Sequence, residues 1–172
     1  MAPTSITLDE LFASVTIPEE LKGARVYNVK ANSADRTIEL TLYSEKLLPY
    51  EMIEQFKKVA MEQCNLSSLI IRVKYNGLSL AAIDLNTYFE NLVFYVNSMV
   101  KGISGLFADS SCSLTDGVLS VKCLYGTSLL SDSGCDKLME KLIMAQLGEN
   151  VKVELIDELD PEQFEQMQQD AI

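Results

Sequence analysis

The chain has 172 residues, 48% of them apolar, with 14 Lys/Arg against 25 Asp/Glu for a net charge of −11. That length allows one ordinary domain or two small ones, and the apolar fraction is enough for a core. Histidine is absent, which excludes Ser-His-Asp and Cys-His nucleophile systems and removes the usual general base near neutral pH.

The first expected element lies in "SITLDELF". Thr7 and Glu10 form a capping box, with Ile6 and Leu11 placed as a hydrophobic staple. A helix of about two turns follows, with Leu8, Leu11 and Phe12 inward. Pro18 and Gly23 mark the loop into "ARVYNVKA" and "RTIELTLY", two strand-like runs joined by a turn at "NSAD". In the second run Ile38, Leu40 and Leu42 alternate with Glu39, Thr41 and Tyr43, which gives one buried face. Pro49 suits the first turn of the next helix, where its missing N–H costs nothing. Ile53, Phe56, Ala60 and Cys64 recur at spacings of 3, 4 and 4 and form that helix's sheet-facing stripe. "SSLIIRVKY" is the third strand and completes an α-β-β-α-β unit over residues 1–76.

Asn76 and Gly77 give the turn signal at the junction. Beyond it, Leu85, Tyr88, Phe89, Leu92, Val96, Met99 and Val100 make the clearest helical stripe in the chain, and an extra short helix is expected around "SGLFAD". "SCSLTDGVLSVKCLY" reads as a hairpin, because Asp116-Gly117 favours the primed turn that matches strand twist. Ser131 is placed to cap a helix with Cys135, Leu138, Met139, Leu142 and Ile143 inward, closed by Gly148. "VKVELI" is the last strand. Residues 77–157 are thus a second α-β-β-α-β unit, and 158–172 an acidic tail or the start of a linker. The expected class is α+β, a tandem pseudo-repeat. At an offset of 82, Ile53, Phe56 and Ala60 fall on Cys135, Leu138 and Leu142, and Leu69, Ile71 and Val73 fall on Val151, Val153 and Leu155. The strand before the helix needs an offset of 81, which carries Ile38 and Leu40 to Leu119 and Val121 and keeps their face buried.

Few residues suggest chemistry. Cys64, Cys112, Cys123 and Cys135 show no CxxC pairing and read as buried thiols rather than a metal site. Gly102-Ile103-Ser104-Gly105 has the GxxG spacing of a nucleic-acid clamp, and also reads as a helix junction ended by Gly102. Residues 1–75 hold 9 bases against 10 acids and residues 76–172 hold 5 against 15, so a phosphate-binding surface belongs in the first half. There Lys22, Arg25, Lys30 and Arg36 form a local positive excess, readable as a solvated strand face or as a contact for nucleic acid or an acidic partner. Tyr27, Tyr43 and Tyr75 stand near them as stacking platforms or as amphipathic sheet residues. "LIDELDPEQFEQMQQDAI" holds six acids and no base, without the glycine spacing of a calcium loop. Neither a Walker sequence, a dinucleotide fingerprint nor a nucleophile elbow occurs. No run of about 18 apolar residues occurs, and "MAPTSITLDELF" lacks a basic segment before an apolar one, so a soluble cytoplasmic protein is expected, without membrane contact.

"ITLDELFASVTIPEEL" and "RTIELTLYSEKLLPYEMIEQFKKVAMEQC" resemble the start of the PolC-type DNA polymerase III alpha subunit of Gram-positive bacteria, in which a Leu-Pro, here Leu48-Pro49, follows the second strand and begins a helix. "LNTYFENLVFYVNSMVKGISGLF" is similar to the helix and connector before that family's second small unit, and the resemblance runs from about residue 6 to 157. It implies the N-terminal region of a replicative polymerase with KH-like (type II) units, no cofactor and no catalytic residue of its own. The polymerase and 3′–5′ exonuclease activities would belong to the remaining domains in cis. It further implies a DNA-replication role as a docking module for replisome proteins, the clamp loader or helicase loader, with single-stranded nucleic-acid binding as the alternative. The family's aromatic pair often includes Trp, where this chain has Tyr88-Phe89, and the acidity of the second half departs from a DNA-binding pattern.

Overall fold

The computed structural model describes residues 6–171. The chain folds as two compact units, Met1–Ser79 and Leu80–Ile172, each with helices on a three-stranded sheet, an α+β architecture.

In the first unit, helix α1 (Leu8–Leu11) is a single turn rather than two. Its capping box forms, the Thr7 N–H donating to Glu10 Oε2 at 3.0 Å. Leu8 and Phe12 enter the core, whereas the staple residues Ile6 and Leu11 remain 44% and 37% exposed. The helix stops because the next buried residues, Val15 and Ile17, alternate instead of following helical spacing. A 3₁₀ turn at Glu19–Leu21 leads into β1 (Arg25–Asn32), which pairs antiparallel with β2 (Thr37–Ser44). Helix α2 (Tyr50–Gln63) crosses over to β3 (Ser68–Tyr75), which lies parallel to β2, so the sheet order is β1-β2-β3.

The core forms where Ile53, Phe56 and Ala60 of α2 meet Leu40, Leu42, Leu69, Ile71 and Val73. Phe56 also meets Phe12 edge to face, centroids 5.3 Å apart at 81°. Pro49 is the cap rather than the first helical residue, and Cys64 follows the last turn exposed, so the apolar stripe ends at Ala60. At the strand–helix corner, Tyr75 Oη accepts from the Leu48 N–H at 3.2 Å and donates to the Leu48 carbonyl at 3.4 Å.

In the second unit, α3 (Leu85–Met99) starts on Asp84, whose side chain accepts from the Thr87 N–H at 3.4 Å. Tyr88, Phe89, Leu92 and Val96 are buried, while Met99 is 59% exposed. The Tyr88 hydroxyl donates to Gln146 Oε1 at 2.7 Å inside this core. "SGLFAD" forms successive turns instead of a helix, with Leu106 N–H bonded to Ile103 and Ala108 N–H to Gly105. Gly102 and Gly105 adopt φ of 85° and 91°, which a right-handed helix cannot continue through.

Strands β4 (Ser111–Thr115) and β5 (Val118–Cys123) form the expected hairpin around Asp116 and Gly117, at φ of 51° and 76°. Two helices follow where one was expected, α4 (Thr127–Asp132) and α5 (Cys135–Leu147), separated by Gly134 at φ 79°. Ser131 lies inside α4. Cys135, Met139 and Ile143 are buried in α5, with Leu138 and Leu142 at its margins. Strand β6 (Lys152–Asp157) runs parallel to β5 and gives the order β4-β5-β6. The segment expected as a tail or linker holds helix α6 (Pro161–Asp170), capped by Asp160 and Gln163 in a reciprocal box at 2.7 and 3.0 Å.

Pairing register refines the repeat. Val153 stands 82 positions after Ile71, and their partners Leu119 and Leu40 are 79 apart. The expected offset of 81 has the right parity, so the same residues face the core, but it misplaces the strand by one pleat. The helical offset also slips, because Phe56 and Ala60 correspond in burial to Met139 and Ile143 at 83 rather than 82. Among the described residues no helix is long and apolar enough to cross a membrane.

Candidate functional site

The helices of the first unit cover one face of its sheet. The other face carries side chains in three rows read directly from the pairing: Arg25–Tyr43–Lys74, then Asn28–Thr41–Arg72, then Lys30–Glu39–Ile70. A β-bulge sets this composition. Val26 pairs with Leu42, Asn28 pairs with Thr41, and Tyr27 is the extra residue. Without the bulge, alternation from Val26 would turn Asn28 and Lys30 toward the core. With it, Tyr27, Asn28 and Lys30 all join the open face.

Tyr27 and Tyr43 stack at 6.1 Å with planes 21° apart, and the Lys74 ammonium lies 5.3 Å from the centre of the Tyr27 ring. Within the three strands, Arg25, Lys30, Arg72 and Lys74 stand against one carboxylate, Glu39. Glu39 reaches Arg72 at 3.7 Å, with the two side chains 43% and 61% exposed. Among the described residues Arg25, Lys30 and Lys74 make no ion pair. A patch of positive charge therefore sits within a chain of net charge −11.

Two hollows adjoin these rows. A cleft of about 490 Å³ opens beyond the Arg25–Tyr43 end, between Lys22, Lys46 and the acids Glu19, Glu20 and Glu45. A notch of about 60 Å³ lies on the open face itself, lined by Asn28, Lys30, Glu39, Leu40, Thr41 and Arg72.

The four cations singled out from the sequence are thus divided. Arg25 and Lys30 are on the open face. Lys22 is on the cleft wall, paired with Glu19 at 3.0 Å. Arg36 is in the β1–β2 turn at φ 53°, its carbonyl accepting from the Ser67 N–H at 2.8 Å, beside a separate hollow that also touches Cys64. Tyr75 is buried on the opposite side of the sheet from Tyr27 and Tyr43. Sequence reasoning missed Arg72 and Lys74, although the alternation in "SLIIRVKY" already set them opposite Leu69, Ile71 and Val73.

Gly102 and Gly105 lie in the turns after α3, with Ile103 between them buried. They do not separate two consecutive helices; the helix–helix corner of this unit is at Ser133-Gly134, beside Asp132 and Asp136. The second sheet presents different residues at the positions matching the open face. By register, Thr41, Tyr43, Arg72 and Lys74 correspond to Ser120, Lys122, Glu154 and Ile156. It therefore has neither the tyrosine stack nor the excess of cations.

Three of the four thiols are chemically quiet. Burial pushes Cys112 and Cys123 up to about 11, with the Asp157 carboxylate adding to the effect on Cys123, and burial also raises Cys135, so these three stay protonated near neutral pH. All four cysteines are free, with Cys123 and Cys135 buried, Cys112 half-buried and Cys64 exposed. Among the described residues no group of three or more Cys, Asp or Glu is placed to hold a metal ion.

Residues 7–75 match the family model for the DNA polymerase III polC-type N-terminus I. The match begins at the cap of α1 and ends on the last residue of β3, so it spans the whole sheet and both helices of the first unit. No curated protein and no solved structure matches the chain.

Proposed function

From a first unit that carries the polC-type DNA polymerase III N-terminus I, we propose that this region is a non-catalytic accessory part of a replicative DNA polymerase that docks replisome proteins. One observation carries the reading: the open face of the first sheet presents a tyrosine pair together with four cations and one carboxylate. Tyr and Arg are the side chains that most often anchor protein interfaces, because they bury large surfaces at low entropic cost and still make polar contacts. Clamp-loader and helicase-loader proteins are the partners to test, and the polymerase's other domains lie in cis. The KH-like plan that the family resemblance implies is part of the proposal; the α-β-β-α-β order of the first unit supports it.

The test is titration of purified clamp-loader and helicase-loader proteins against the chain and its Tyr43→Ala and Arg25→Glu variants. Each substitution is expected to weaken binding about ten- to thirtyfold, as for an interface anchor. Absence of binding to either class of partner would overturn the reading.

Single-strand binding is the second reading, since aromatic and basic side chains also serve single-stranded nucleic acid. It is less well supported, because the Tyr27 ring is already engaged by Tyr43 and Lys74. A labelled oligothymidylate should bind at low salt and release steeply as salt rises. No low-salt binding removes that reading.

A further inference from the structure

Resting on that docking reading, we propose that the partner presents an acidic, extended protein segment, one of whose carboxylates enters the notch between Lys30 and Arg72 in competition with the protein's own Glu39. The notch, about 60 Å³, has room for one small polar group such as a carboxylate. Its lining supplies two cations, the Asn28 amide and the Thr41 hydroxyl, all able to donate to carboxylate oxygens. The carboxylate already in the wall is held loosely: Glu39 and Arg72 are 3.7 Å apart, beyond the roughly 2.7–2.9 Å of a charge-assisted hydrogen bond, and both are largely solvated.

Row spacing defines the segment. Arg72 and Lys74 are two residues apart on β3 and project from the same face. The separation of about 6.6 Å equals that between alternate residues of any extended chain. A partner strand with acids at positions i and i+2 would therefore meet both cations, with its intervening side chains turned away. Arg25 and Lys74 flank Tyr43 in the next row and continue the match toward the cleft. The second unit serves as an internal control, because its corresponding positions hold Glu154 and Ile156 in place of Arg72 and Lys74. Its sheet has the same strand order and pairing directions, without the bulge, and lacks these cations.

The experiment uses the full chain and a fluorescent Glu-Ser repeat peptide read by anisotropy, with a Glu-Glu-Ser-Ser peptide of equal charge as the spacing control. Glu39→Gln is expected to tighten the alternating peptide about two- to fivefold by removing the internal competitor. Arg72→Ala and Lys74→Ala are expected to weaken it about five- to tenfold. Glu154→Gln should change nothing, and the spacing control should bind more weakly. The tightening matters most, since a damaged fold does not produce it. Unchanged or weaker binding by Glu39→Gln overturns the proposal. So does an oligothymidylate of equal charge that binds tighter than the peptide with the same variant pattern, which points to nucleic acid. If replisome partners bind through Tyr43 and the peptide does not bind, the acidic segment falls and docking stands; if neither binds, both fall.

Discussion

Replacing Tyr75 with Phe is expected to lower stability at neutral pH and to protect the fold in alkali. The ring ends β3 at 7% exposure, and its hydroxyl holds the strand–helix corner through the Leu48 N–H at 3.2 Å and the Leu48 carbonyl at 3.4 Å. Two long neutral hydrogen bonds contribute about 0.5–1 kcal/mol each, so the variant should lose about 1–2 kcal/mol at pH 7. Burial pushes the phenol up to about 12 from 10, outweighing the opposite pull of the backbone bond to Leu48. Between those values the unfolded chain releases this proton while the native state retains it. The stability tied to the neutral phenol is therefore complete below pH 10 and is lost as pH climbs toward 12, by up to about 1.4 kcal/mol per pH unit. Phenylalanine has no proton to release, so the two stability curves should converge and meet near about pH 11. The chain lacks tryptophan, so urea unfolding is best followed by far-ultraviolet circular dichroism at pH 7, 9, 10 and 11. Cys112 and Cys123 add alkaline slope of their own, but equally to both proteins, and it cancels in the difference. A difference that stays constant from pH 9 to 11 would refute the reasoning.

Phe56→Ala removes a ring that is 1% exposed and packed edge to face on Phe12, and is expected to cost the first unit about 3–5 kcal/mol in urea unfolding; a loss below about 1 kcal/mol would mean that the core is not centred there. Gly117→Ala leaves open space around the new methyl but forces alanine to φ 76°, so a loss of about 1–2 kcal/mol in the second unit is expected, with Gly117→Asn losing less; equal stability of all three proteins would contradict the primed turn.

Much of the fold was readable because it rests on local periodicity. The alternation of Leu40 with Leu42 and of Leu69 with Ile71 and Val73 fixed which faces are buried, and Asp116-Gly117 fixed the hairpin. What failed had specific causes. A short helix was expected around "SGLFAD", but Gly105 within it and Gly102 before it both take positive φ and break it. The single helix expected from Ser131 is split at Gly134, another left-handed glycine that apolar periodicity does not register. The candidate surface was half legible. Arg25 and Lys30 were visible as a basic cluster, but their shared face depends on a bulge at Tyr27 that strict alternation cannot express. Arg72 and Lys74 join them through parallel pairing with β2, a partner about thirty residues away whose register no local pattern states.

The two units share a strand order, to which the second adds α4 and α6, yet their sheets diverge where solvent, not the core, selects the residue. Inward positions keep their character from Leu40 and Leu42 to Leu119 and Val121, because any polar replacement there would leave a buried group to satisfy. Outward positions carry no such constraint, and Arg72 and Lys74 give way to Glu154 and Ile156, all four of them exposed. The tyrosine pair and excess cations of the first sheet are therefore not by-products of the fold, since the same strand order and pairing directions stand without them about eighty residues later. Under the proposed docking role, that contrast makes the open face of the first sheet, rather than the repeat as a whole, the surface on which substitutions should register.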